Sequence, residues 1–121
     1  MYESVVADAG GLLVLAGLVE GIDHEIGEIL ALDATALLVA QYLAHRHEGV
    51  PERAFADFAF VMRVVREWFP VRAVAMGAAL ASTSPEDIDG RAALALAESL
   101  RTPIVTKDPD LRSSSVPVLR C

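Results

Sequence analysis

The sequence predicts a single α/β domain built on a short parallel sheet with helices on both of its faces. Three observations carry this. Short runs such as VVA (5–7), PIVT (103–106) and VPVL (116–119) are apolar on both faces and have the length of buried strands. They alternate with longer stretches whose apolar residues recur at helical spacing. The 121 residues contain no internal repeat, low-complexity stretch or linker, so 1–121 is one domain, large enough to bury a core.

Each element follows from its own pattern. Ser4–Ala7 is expected as the first strand and Gly10–Val19 as the first helix, with Asp8 near the N-cap position. Glu20–Glu25 is a polar connection, and Ile26–Leu32 reads as a short strand or extended segment. Asp33 is placed to cap a second helix, Ala34–His47, which ends at Glu48-Gly49 before Pro51. A third helix is expected over Glu52–Phe69, just after Pro51. Phe55, Phe58, Met62, Val65 and Phe69 form its apolar stripe. Phe60 and Val64 lie off that stripe, which leaves more apolar surface than one face can bury.

Pro70 ends that helix. Val71–Met76 reads as a strand, Gly77–Ser82 as one helical turn, and Thr83–Gly90 (TSPEDIDG) as a loop of breakers and acids. Arg91–Leu100 is an alanine-rich helix, thin enough to lie close on a sheet. Pro103–Thr106 is a buried strand, Asp108–Ser115 a turn-rich link and Val116–Leu119 the last strand.

Composition narrows the function classes. Hydrophobic residues make up 54% and the mean hydropathy is +0.43, yet no apolar run reaches the roughly 18 residues of a membrane span. Glu3 and Asp8 stand where a signal peptide would carry positive charge, so no membrane or export segment is expected. The apolar excess is assigned to the sheet and a subunit interface, and so to a homodimer. The single cysteine, Cys121, cannot form an internal disulfide, which fits a reducing cytoplasm. Net charge is −7, and residues 1–45 hold seven acids without one Lys or Arg. No basic stripe for nucleic acid exists; an RNA substrate would need a divalent cation or a basic partner to offset repulsion.

Two acids are placed where chemistry happens in such a fold. In open parallel sheets, ligands bind beyond the carboxyl ends of the strands, where strand order reverses. Asp8 directly follows Val5-Val6-Ala7, and Asp108 lies two residues after Ile104-Val105-Thr106. If those strands are neighbours, the two carboxylates converge, and hard oxygen ligands with open positions suit Mg²⁺ or Mn²⁺. The alternatives are structural: Asp8 as a helix cap, Asp108 as a turn residue beside Pro109. Other motifs fall away. DIDG (87–90) follows STSPE rather than an apolar strand, so it is no dehalogenase-type phosphatase box. VRAVAMG offers no phosphorylatable Asp for a receiver domain, and no glycine-rich phosphate loop, GxSxG or Cys/His zinc spacing occurs. His45 and His47 flank Arg46 at a helix end, where cations complement the helix dipole.

The opening SVVADAGGLLVLAGL, the middle ALLVAQYLAHRH and the closing AALALAESLRTPIVTKDPDL…VPVLR together resemble a PIN domain, most closely the small VapC-type toxins of toxin–antitoxin pairs. The resemblance implies a three-layer α/β/α sandwich and a Mg²⁺/Mn²⁺-dependent endoribonuclease whose metal is held by four acids. Asp8 matches the first acid and Asp108, in the T-x-D motif, the last. Thr106 matches the Thr that orients the site.

The two middle acids do not match: Gln41 stands at one position and Gly90 at the other, with Asp87 and Asp89 close but out of register. Two readings follow. In one, Asp8 and Asp108 bind metal, Asp89 or Asp87 completes a weakened ribonuclease site, Gln41 supports it through its carbonyl, and Arg46, Arg91 and Lys107 contact RNA phosphates. In the other, catalysis is lost and the PIN-like fold serves binding, as a dimer or with an antitoxin-like helical partner.

Overall fold

A computed structural model describes residues 2–21, 25–73 and 85–121. Five strands, β1 (Tyr2–Ala7), β2 (Ile26–Leu32), β3 (Glu67–Phe69), β4 (Ile104–Thr106) and β5 (Val118–Arg120), form one sheet in the order β3-β2-β1-β4-β5. Every pairing is parallel. Among the described residues four α-helices accompany them: α1 (Ala9–Leu15), α2 (Thr35–Arg46), α3 (Pro51–Val64) and α4 (Pro85–Leu100). The arrangement is the predicted three-layer α/β/α sandwich. No helix among the described residues is long and apolar enough to cross a membrane.

The two faces of the sheet bury alternate residues of the same strands, as a period of two requires. Val5, Ala7, Ile29, Ala31 and Val105 face a core built with Leu12, Leu13, Val39, Leu43 and Val61 of α1, α2 and α3. Val6, Leu30, Leu32 and Ile104 face the other way, onto Ala92, Ala93, Leu96 and Ala97 of α4. The small side chains of α4 let it lie close on the sheet, as its composition predicts. Leu32 and Leu43 are fully buried, so truncating either to alanine costs about 2–5 kcal/mol.

The described residues correct several expectations. The third helix does not run to Phe69; α3 stops at Val64, and Val65 is already extended. Glu67–Phe69 instead pairs with β2, Ala31 opposite Trp68, while Arg66 N–H bonds Ile29 O at 2.7 Å and Asp33 N–H bonds Phe69 O at 2.8 Å. The open edge of β2 needs backbone partners, and aromatic residues favour strands; sheet pairing overrides the helical spacing of the aromatics. Of the expected stripe, Phe58 and Met62 pack on the core, whereas Phe55 is 77% exposed.

Asp33 is not a cap: Ala34 occupies that position of α2 with no side-chain hydrogen bond, because the Asp33 backbone is engaged with β3. Residues 85–90 are not loop but the opening of α4, which begins at Pro85, a residue type common at the first helical position. The last strand lies two residues later than predicted, since Val116 turns into the α4 core before pairing begins. Val71–Ala73 forms a 3₁₀ turn rather than the start of a strand; residues 74–76, the Gly77–Ser82 turn, Thr83 and Ser84 lie outside the described residues.

Candidate active site

Strand order places β1 between β2 and β4, so the connection reverses direction at the carboxyl end of β1. The pairs Val6–Ile104 and Ala7–Val105 bring the ends of β1 and β4 side by side. Asp8 and Asp108, which follow those ends, therefore line one cleft of about 790 Å³. The convergence expected of neighbouring strands is present.

Asp8 is held by two bonds at the start of α1. It is the N-cap of α1, its Oδ1 accepting the Gly11 amide at 2.8 Å, and it is only 5% exposed. Its Oδ2 accepts the Thr106 hydroxyl at 2.5 Å, and the same Thr106 oxygen accepts the Asp108 amide at 3.0 Å. Asp108 Oδ1 in turn accepts the Asp110 amide at 2.9 Å, holding the turn after β4. Gly11 makes the close approach possible: a Cβ there would lie 2.0 Å from the Val105 carbonyl oxygen.

Burial pushes the Asp8 carboxyl up to about 6, against the hydrogen bonds from Thr106 and Gly11, with the charges of Asp89 and Asp108 adding to the rise. Asp89 is also raised, mainly by burial and against its bonds to Ala9 and Thr35.

Asp89 lines the same cleft as Asp8 and Asp108 but faces the start of α1 and α2. Its Oδ2 accepts the Ala9 amide at 2.8 Å and its Oδ1 accepts the Thr35 hydroxyl at 2.7 Å. It thus ties α4 to the first residues of α1 and α2. Gly90, one residue on, is the position that faces Asp8: a Cβ built there lies 3.7 Å from Asp8 Oδ2. One step along a helix turns a side chain by about 100°, which separates the two roles.

The other sequence candidates divide. Gln41 and Lys107 line the cleft; Lys107 runs its aliphatic stem over Gly10, whose Cβ would meet it at 3.1 Å. Asp87 lines it too, and pairs with Arg91 at 3.1 Å. Arg91 and Arg46 are not among the lining residues, and the Arg46 guanidinium donates to the Leu18 carbonyl. His47 pairs with Asp57 at 2.6 Å, outside the cleft. Thr35, Tyr42 and His45 complete the picture without having been singled out as site residues. The available signal was that Thr35 begins the helix after β2, whose carboxyl end shares an edge with those of β1 and β4.

Among the described residues, no group of three or more His, Cys, Asp or Glu side chains is arranged to hold a metal ion. The donor set that remains, Asp8 with Asp108, fits a loosely held Mg²⁺ or Mn²⁺, since Mg²⁺ is commonly bound through one or two carboxylates with water filling its other positions. The sequence matches no protein-family model, and no curated protein matches it significantly.

Proposed function

We propose that this chain is a PIN-like, VapC-type Mg²⁺/Mn²⁺-dependent endoribonuclease of a toxin–antitoxin pair, weakened by the loss of two acids. The observation that carries the reading is the unit Asp8–Thr106–Asp108 at the strand-order switch point: one hydroxyl orients a buried carboxylate and anchors the turn that bears a second one. The cation would be held by Asp8 and Asp108. When bound, it supplies activation of water and neutralisation of phosphodiester charge.

The chain's own groups do the rest. Thr106 fixes the rotamer of Asp8, and Asp89 fixes the Ala9 amide behind it. Lys107 offers the cationic contact for a phosphate at the cleft. A single lone cysteine fits the reducing cytoplasm in which such a pair would act. Purified protein is expected to cleave RNA slowly with Mn²⁺ and to lose that activity on Asp8→Asn substitution. Equal activity in the two proteins, or none in either, overturns the ribonuclease.

A second reading is favoured by Asp89 and Asp8, both of whose carboxylate oxygens accept bonds from the fold, and by Gln41 and Gly90 in place of acids. In it the site is a remnant and the chain is a binding module. Leu37, Phe55 and Phe60, exposed at 74%, 77% and 45%, would then meet a second copy or an antitoxin-like helix. Analytical ultracentrifugation of wild type beside Phe55→Ser/Phe60→Ser tests it; an unchanged mass would rule out those residues as the dimer contact.

A further inference from the structure

The cleft beside Asp8 has a second wall of different character. α2 presents Leu38, Gln41, Tyr42 and His45 to it, positions three and four apart and therefore on one helix face. Tyr42 is 41% exposed, with its ring open to the cleft. The Gln41 amide and the Tyr42 hydroxyl make no hydrogen bond to the described residues. An exposed tyrosine alone would be ordinary helix surface. Here it shares one cavity with an uncommitted carboxamide, and both sit in the same cleft as the buried Asp8.

Chemistry narrows the occupant. A carboxylate at position 41 would repel nucleotides and accept only; a carboxamide presents a donor and an acceptor side by side. That pair matches the edge of adenine, the base to which Gln binds in a bidentate manner. An aromatic face in a cleft takes a base by stacking, and only an unpaired base has its face and pairing edge free. The cleft volume of about 790 Å³ admits a nucleotide. A base is neutral, so it enters an acidic cleft without the repulsion its phosphate meets. The phosphate can then lie toward Lys107, whose stem crosses the start of α1.

We infer that this wall is a nucleobase subsite: Tyr42 stacks on an unpaired adenine and Gln41 pairs with its edge, holding the nucleotide beside Asp8. The subsite rests on the RNA reading of the cleft but not on cleavage. It assigns to Gln41 a recognition role in place of metal support.

The test is fluorescence anisotropy of the full chain with end-labelled single-stranded oligo(A) and oligo(C) of equal length, in EDTA so that nothing is cleaved. Oligo(A) is expected to bind more tightly. Tyr42→Ala weakens oligo(A) by about tenfold or more, while Tyr42→Phe retains it, because stacking needs the ring and not the hydroxyl. Gln41→Ala removes the preference for oligo(A) over oligo(C). Both side chains are exposed, and circular dichroism verifies that each variant is folded. Equal affinity for the two oligonucleotides, no binding of either, or Tyr42→Ala binding like wild type overturns the subsite. Preferential oligo(A) binding with no Mn²⁺-dependent cleavage leaves the subsite standing and sinks the ribonuclease; cleavage with no base preference does the reverse.

Discussion

Thr106 donates its hydroxyl hydrogen to Asp8 Oδ2 at 2.5 Å across a sequence separation of 98 residues, fastening the carboxyl end of β4 to that of β1. Both residues are buried, and the hydroxyl also accepts the Asp108 amide. Replacing Thr106 with valine keeps the shape and removes both roles. Thr106→Val should therefore destabilise by about 1–3 kcal/mol, the penalty of an unsatisfied buried acceptor and amide, measurable by urea denaturation. It should also move the Asp8 carboxyl further up, since a bond that favours its charged form is gone.

Asp8 makes stability depend on pH in a definite direction. Its folded value, about 6, lies above its ordinary 3.8. Between those values the folded chain holds a proton that the unfolded chain releases, so stability falls as pH rises through the window. The stabilisation is complete below the unfolded value and is lost above the folded one. The difference corresponds to about 3 kcal/mol at most. Asp89, also raised, acts with the same sign. In chelator-treated protein, Asp8→Asn lacks this loss, so its stability relative to wild type should rise between about pH 4 and pH 7. Urea midpoints at the two ends of that range measure it; a difference that stays constant would contradict the assignment.

Position 90 tests how many carboxylates the cleft tolerates. An aspartate there would start from a Cβ at ordinary contact distance, 3.7 Å, from Asp8 Oδ2. Without metal, Gly90→Asp brings like charge to a buried acid and should lower stability by roughly 1–4 kcal/mol. With Mn²⁺ the sign reverses. The thermal midpoint should rise with Mn²⁺ more steeply in Gly90→Asp than in wild type, and not at all in Asp8→Asn, because a ligand bound only by the folded state stabilises it.

Gly11 is the steric condition of the site. A methyl group at this position would overlap the Val105 carbonyl, 2.0 Å away, and neither backbone can yield without parting α1 from β4. Gly11→Ala should cost about 3 kcal/mol or more, whereas helix propensity alone would make alanine better by about 1 kcal/mol. Thermal unfolding distinguishes the two signs at once.

Sequence and structure agree where the information is local to a strand. VVA, PIVT and the ILAL half of β2 are legible because strands buried on both faces need apolar runs, as in a parallel sheet between helices; Gly27 and Glu28 left the start of β2 ambiguous. The meeting of Asp8 with Asp108 follows once β1 and β4 are adjacent. Glu67–Phe69 was not legible as a strand. Its aromatics continue the spacing of α3, and the force that extends them, the open edge of β2, lies more than 30 residues away in sequence. The direction of Asp89 was legible in part: Gly90 holds the register position, and Asp89 stands one residue out of it. What was hidden is that the helix already runs through residue 89, so no loop re-aims its side chain at Asp8 and it bonds the Ala9 amide and Thr35 instead. Thr35 carries no signature of its own; it matters because Asp89 comes to it from 54 residues downstream.

The bond from Asp89 to the Ala9 amide spans 80 residues, and the Thr106–Asp8 bond 98. Contacts of such high order form only after the intervening chain has been brought into place, because loop closure precedes their reward. A chain synthesised only as far as α3 carries Asp8 without Thr106, Asp89 or Asp108. The crevice is therefore complete only once β4 has paired with β1 and α4 covers the second face. α4 carries both Asp89 and the alanine core, so the bond to the Ala9 amide lasts only while that core stays shut. Exchange of the Ala9 amide with solvent should accordingly track the undocking of α4, and a nascent chain has no assembled cleft until β4 has been made.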